Sequence, residues 1–217
     1  MSQPIPLQEV VWKLTRAEPR VVADDGADWR HAAVAAIFRD SAEGAELLYI
    51  QRAVHDRDPW SGQIAFPGGR SDPGDPSLEH TADRETREEL GLPLLDSPRV
   101  RRLGALDQLQ ARARRKILPM AITPFAFVHD APVRPELSLQ ATEVESAFWV
   151  PLHELVDPTR RILYDAHRAE APYSFRAFDL GDQRILWGLT HFMTVEILFR
   201  LGLVEDVDSL TLPVARE

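Results

Sequence analysis

Phe66-Pro67-Gly68-Gly69-Arg70-Ser71-Asp72-Pro73-Gly74-Asp75 leads, a few residues on, into Arg84-Glu85-Thr86-Arg87-Glu88-Glu89-Leu90-Gly91-Leu92. If Ser77 to Leu90 is helical, Glu85, Glu88 and Glu89 fall at i, i+3 and i+4, and their side chains gather on one stripe. Like charges at this spacing oppose helix formation by roughly 0.2–0.5 kcal/mol per pair, so the crowding points to a cation in the gap. Hard oxygen donors suit Mg²⁺ or Mn²⁺.

These residues resemble the Nudix box, G-x5-E-x7-R-E-U-x-E-E-x-G-U, where U is aliphatic. The second half matches, with Thr86 in the first aliphatic place. The first half departs: six places from Gly69 stands Asp75 rather than a glutamate, and one extra residue separates it from Arg84. A Pro/Gly-rich loop absorbs such an insertion easily. The bland alternative is a solvated helix face, with Arg84 and Glu88 paired one turn apart. It leaves the Phe-Pro-Gly-Gly turn ahead of the helix unexplained.

Working outward, the 217 residues have room for one full core, and no Ser/Gly linker or low-complexity stretch divides them. The expected organisation is one domain over 1–217, with an N-terminal extension over 1–30, the box over 68–92 and a closing helix over 184–201. Acidic residues number 34 against 25 basic ones, which argues against a general nucleic-acid or membrane-surface binder. Cysteine is absent, excluding disulfides, thiolate catalysis and Cys-based zinc sites. The first sixteen residues lack an apolar core of signal-peptide length, and no apolar run reaches the ~18 residues of a span, so a cytoplasmic location is expected.

His31 to Phe38 and Glu46 to Gln51 read as strands joined through a Ser41–Gly44 turn. Gln63 to Phe66 runs into the glycine turn, and the box reads as loop, helix, loop. Further strands are expected over Val100–Leu109, Ile117–Val128, Ser146–Val150 and Tyr173–Leu180, with Pro119 and Pro124 confining part of the second to an edge or bend. Pro151 to Val156 suggests a short helix. Arg184 to Leu201 closes the chain as a core helix or a homodimer contact.

The resemblance implies an α/β Nudix fold, a mixed β-sheet sandwiched between α-helices. It also implies a metal-dependent hydrolase of a nucleoside diphosphate derivative. Glu88 and Glu89 would be the principal metal ligands and the Gly68 carbonyl another, while Glu85 would bind metal or take the proton of the attacking water. An unperturbed glutamate titrates near ~4.3, so Glu85 is expected to be ionised at neutral pH even when neighbouring carboxylates raise it by about one or two. Arg84 would hold Glu88 in one rotamer, and Glu143, ahead of Glu145, would supply a further carboxylate from a later loop.

The segments 52–69 and 185–190 are similar to the coenzyme A pyrophosphatase branch of that family. They favour coenzyme A or acyl-coenzyme A, cleaved to adenosine 3′,5′-bisphosphate and a 4′-phosphopantetheine. Arg52 and Arg57 could hold substrate phosphates through guanidinium forks, as could the basic loop Arg112, Arg114 and Arg115. The same fold also serves ADP-ribose, nucleotide sugars and nucleoside triphosphates, and a non-catalytic nucleotide sensor is the alternative from another class. That class is marked by loss of box carboxylates, and here all three are present. Trp60 and Phe66 suit a core better than a base-stacking platform.

Overall fold

The computed structural model describes residues 3–16, 18–22, 29–55, 60–113, 116–165, 173–211 and 214–215. Two strands, β1 (Arg30–Ser41) and β2 (Gly44–Arg52), form the expected hairpin, paired from Phe38↔Leu47 to Ser41↔Gly44. Beyond that register they diverge. The short β3 (Ile64–Ala65) pairs with the far half of β2, and β4 (Gly68–Arg70) pairs with β1 through Ala32↔Arg70 and Val34↔Gly68. The glycine turn is therefore part strand, where the sequence suggested loop.

Helix α2 (Leu78–Leu90) follows, with Ser77 as N-cap and Gly91 in the left-handed conformation at its end. Ordinary stop signals thus bound the carboxylate stripe. The region read as one strand from Val100 divides into β5 (Val100–Ala105) and β6 (Leu109–Ala113), both paired antiparallel to β7 (Lys116–His129).

The stretch with Pro119 meets the expectation of an edge or bend, but from Met120 onward β7 is an interior strand. It runs parallel to β1 on its other side, from Arg30↔Met120 to Arg39↔His129. Pro124 is tolerated because its missing N–H faces the break between β5 and β6, where the Pro124 carbonyl takes the Leu106 amide at 2.8 Å. Pro119 precedes the β1 pairing and lies opposite the irregularity between Gln110 and Arg112. With β8 (Val144–Pro151) on the outer side of β2, the described residues form an eight-stranded mixed sheet.

Alternation along β1 fills both faces. Ala33, Ala35 and Ile37 join Leu48, Ile50, Phe127, Ala82 and Leu90 under α2. Ala32, Ala36 and Phe38 point the other way, toward Val10 and Leu14 of α1 (Leu7–Leu14) and toward Met193, Val195, Ile197 and Leu198. These last belong to α4 (Gly188–Arg200), which follows the short α3 (Leu152–Leu155) in the order of α-helices. The helix expected from Arg184 begins late. Ile185–Trp187 is a strand, β11, drawn into pairing with β10 (Tyr173–Asp179), which also pairs with β9 (Arg161–Tyr164). Burial makes α4 a core helix, and its polar Thr194 bonds the Tyr49 hydroxyl at 2.9 Å. Among the described residues, no helix is long and apolar enough to cross a membrane.

Candidate active site

Two glycines let the box helix approach the sheet. Gly68 has φ +144, and a Cβ there would lie 2.3 Å from the Ala33 carbonyl oxygen and 2.5 Å from the Val34 Cα, both backbone atoms that cannot give way. A Cβ on Gly69 would lie 2.6 Å from the Glu85 carboxyl carbon. Only a bare backbone leaves that carboxylate its place.

Glu89 is 2% exposed and accepts the Gly68 amide at 2.9 Å. Burial pushes its carboxyl up to about 8, with Glu85 and Glu143 adding to the rise and the Gly68 amide and Arg52 opposing it. Desolvation at the sheet surface thus sets Glu89 apart, which sequence spacing alone does not convey. Glu85 is also raised, chiefly by burial, against the opposing hydrogen bond from Arg84, with Glu88 and Glu143 contributing further. Glu88 is the outermost of the three, its side chain 56% exposed.

Arg84 is the organising cation. Its Nη1 lies 2.9 Å from Glu85 Oε1 and donates to Glu88 Oε2 at 3.1 Å, the expected one-turn pair. Its Nε and Nη2 fork onto Asp75 at 2.9 and 3.1 Å, and Nη2 also reaches the Arg70 carbonyl at 3.0 Å. Asp75 is further bonded by the Thr81 hydroxyl at 2.8 Å and the Asp72 amide at 2.9 Å. The Arg84 fork holds the Asp75 carboxyl well below the usual carboxylate range.

The altered box spacing thus has a structural outcome: a shorter acid in a longer loop reaches Arg84. Sequence spacing could not settle this, because the loop between Asp75 and the helix start has no periodicity. Asp83, unremarked in the sequence, caps the turn after α2 by accepting the Leu94 and Leu95 amides at 2.5 and 3.0 Å, and Arg87 pairs with Asp83 and Asp96.

Of the later acids, Glu143 enters the electrostatic surroundings of both Glu85 and Glu89. Arg52 lies within the field of Glu89. Arg57, Arg114 and Arg115 lie outside the described residues, and of Arg112 only the backbone is described, in β6. Phe66 is 1% exposed and stacks on Tyr49 at 5.1 Å, so it is core rather than a base platform.

Among the described residues, no three carboxylate or imidazole groups are gathered as a ready-made coordination set, since Arg84 and the Gly68 amide hold the box acids. The donor chemistry nevertheless fits a divalent cation. A buried carboxyl, raised by desolvation and by the neighbouring Glu85 and Glu143, is relieved by a positive charge, and those two acids bring further carboxylate oxygens.

A carboxylate-bearing helix docked against a glycine turn of a mixed α/β sheet defines the class of site. The chain belongs to the NUDIX domain family, whose profile matches residues 29–171. It is 40% identical over 125 residues to an uncharacterized Schizosaccharomyces pombe protein, covering 57% of this chain and 37% of that one. It is 33% identical over 144 residues to the uncharacterized Nudix hydrolase NudL of Yersinia pestis, covering 66% of each. The chain therefore matches from about a third to just under two-thirds of the length of these relatives. Among solved structures it resembles a C. elegans Ap4A hydrolase in a binary complex, with TM-score 0.46 and 22% identity over 58% of this chain and 83% of that one.

Proposed function

We propose that this protein is a metal-dependent pyrophosphohydrolase of nucleoside diphosphate derivatives, with coenzyme A or its acyl derivatives as substrate. The observation that carries the hydrolase reading is the buried Glu89, pushed up to about 8 and set among Glu85, Glu143 and the Gly68 backbone. A buried acid with that surrounding is built to be discharged by a cation. The coenzyme A preference is supported by the likeness of segments 52–69 and 185–190 to that branch.

Glu85, Glu88, Glu89 and the Gly68 carbonyl would hold Mg²⁺ or Mn²⁺. When bound, such an ion screens diphosphate oxygens and lowers the pKa of coordinated water. Glu85 or Glu143 takes the proton of the attacking water, since both carboxyls stand close enough to Glu89 to raise it. Arg84 keeps Glu85 and Glu88 in fixed rotamers, and its fork to Asp75 prevents it from swinging into the site. Arg52 and Arg57 orient substrate phosphates. The chain acts as one domain over 1–217, in the cytoplasm, and a homodimer is compatible with this reading.

A panel of coenzyme A, dephospho-coenzyme A, ADP-ribose, a nucleotide sugar and nucleoside triphosphates, assayed with Mg²⁺ and with Mn²⁺, tests it. Mass identification of adenosine 3′,5′-bisphosphate from coenzyme A is the expected result. No turnover of any of them with either ion would overturn the hydrolase reading, and preference for another member would overturn the substrate.

A further inference from the structure

Glu143 stands on a segment without regular secondary structure, yet that segment is tied down on three sides. The Ser138 amide donates to the Leu90 carbonyl at 2.8 Å and the Gln140 amide to the Glu89 carbonyl at 2.9 Å. Both carbonyls belong to the last turn of α2, where the helix itself supplies no partner. The Glu143 amide turns back to the Gln140 carbonyl at 2.8 Å, and the Glu143 carbonyl accepts the Ala53 amide, also at 2.8 Å.

One side chain completes the set. His55 Nε2 bonds the carbonyl of Thr142, the residue before Glu143. A carbonyl only accepts, so Nε2 carries the proton and His55 is the donor. The His55 backbone is in turn fixed by donating its amide to the Ser61 hydroxyl at 2.6 Å. His55, Thr142 and Glu143 are all exposed, so burial does not hold this loop. Hydrogen bonds do.

We propose that His55 is a positioning residue for Glu143, clamping the Thr142 carbonyl while the Ser138 and Gln140 amides tie the same segment to the end of the box helix. The inference rests on the role given to Glu143 above. It gives His55 a task that needs one N–H donor. Loss of that donor leaves the fold intact, because nothing buried is removed. It loosens one of the points that hold Glu143 in register with Glu85 and Glu89.

The test compares wild type with His55→Ala, His55→Gln, Glu143→Gln and the double variant His55→Ala/Glu143→Gln, using coenzyme A and Mg²⁺. Loss of one oriented hydrogen bond corresponds to about a tenfold fall in kcat, with KM held within about twofold. His55→Gln, which keeps an N–H donor, is expected to restore most of it, and the double variant is expected to be no slower than Glu143→Gln. Amide exchange at Ala53 and Glu143 gives a readout independent of turnover, and it is expected to quicken in His55→Ala only. Unchanged exchange there would overturn the clamp whatever the kinetics. Quickened exchange with full activity in Glu143→Gln would support the clamp while removing Glu143 from the mechanism.

Discussion

Asp75→Ala tests the reading of the altered box most directly. The Asp75 side chain is 8% exposed and receives two bonds from Arg84, one from the Thr81 hydroxyl and one from the Asp72 amide. Arg84 is 31% exposed and still holds Glu85 and Glu88 after the change, so its fork counts as about one charge-assisted interaction, roughly 1.5–3 kcal/mol. Water reaching the Thr81 and Asp72 donors offsets most of their loss. The net destabilisation is then about 2–3 kcal/mol, which for a urea slope of roughly 2–3 kcal/mol/M lowers the unfolding midpoint by about 1 M. Freed from Asp75, Arg84 competes for the box acids, and kcat is expected to fall at least about tenfold. Asp75→Glu alone overshoots by one methylene. Combined with deletion of Pro76, which leaves seven residues before Arg84, it recovers the family spacing and is expected to regain stability and rate. A midpoint shift below about 0.2 M with wild-type kcat for Asp75→Ala would refute the argument.

Glu89→Gln is expected to abolish turnover while holding or raising metal-free stability at pH 7–8, because the amide spares the burial of a charge; calorimetry with and without Mg²⁺ checks both, and loss of stability without metal contradicts the burial argument. His191 is 3% exposed, and burial lowers its pKa from 6.5 to about 4. The unfolded chain therefore binds the proton first, and about 3 kcal/mol of stability, full above pH ~6.5, is lost as pH falls toward ~4. In urea melts His191→Phe should flatten that acid limb, and an unchanged slope would contradict it. Replacing Arg112, Arg114 and Arg115 together by alanine is expected to erase a preference for coenzyme A over dephospho-coenzyme A; an unchanged ratio of kcat/KM removes the loop from substrate selection.

The glycine turn, the helix with its caps and the stripe of three glutamates were legible in the sequence, because each depends on residues within a turn or two of one another. The β1–β2 hairpin was legible for the same reason. The parallel pairing of β7 with β1 was not, since it joins residues some ninety positions apart and put Pro124 inside the sheet instead of at its edge. Nor was the start of α4, where pairing with β10 turned Ile185–Trp187 into strand. Within the site, the sequence supplied the identities of Glu85, Glu88, Glu89 and Arg84, but only tertiary structure decided their inequality. Glu89 is buried against the Gly68 amide while Glu88 stands in solvent. The same holds for Asp75, whose partner was set by how a loop of no fixed period folds back on the helix. Local spacing determines which side chains share a face; burial, and the partners brought in from distant strands and loops, determine the charge each one carries.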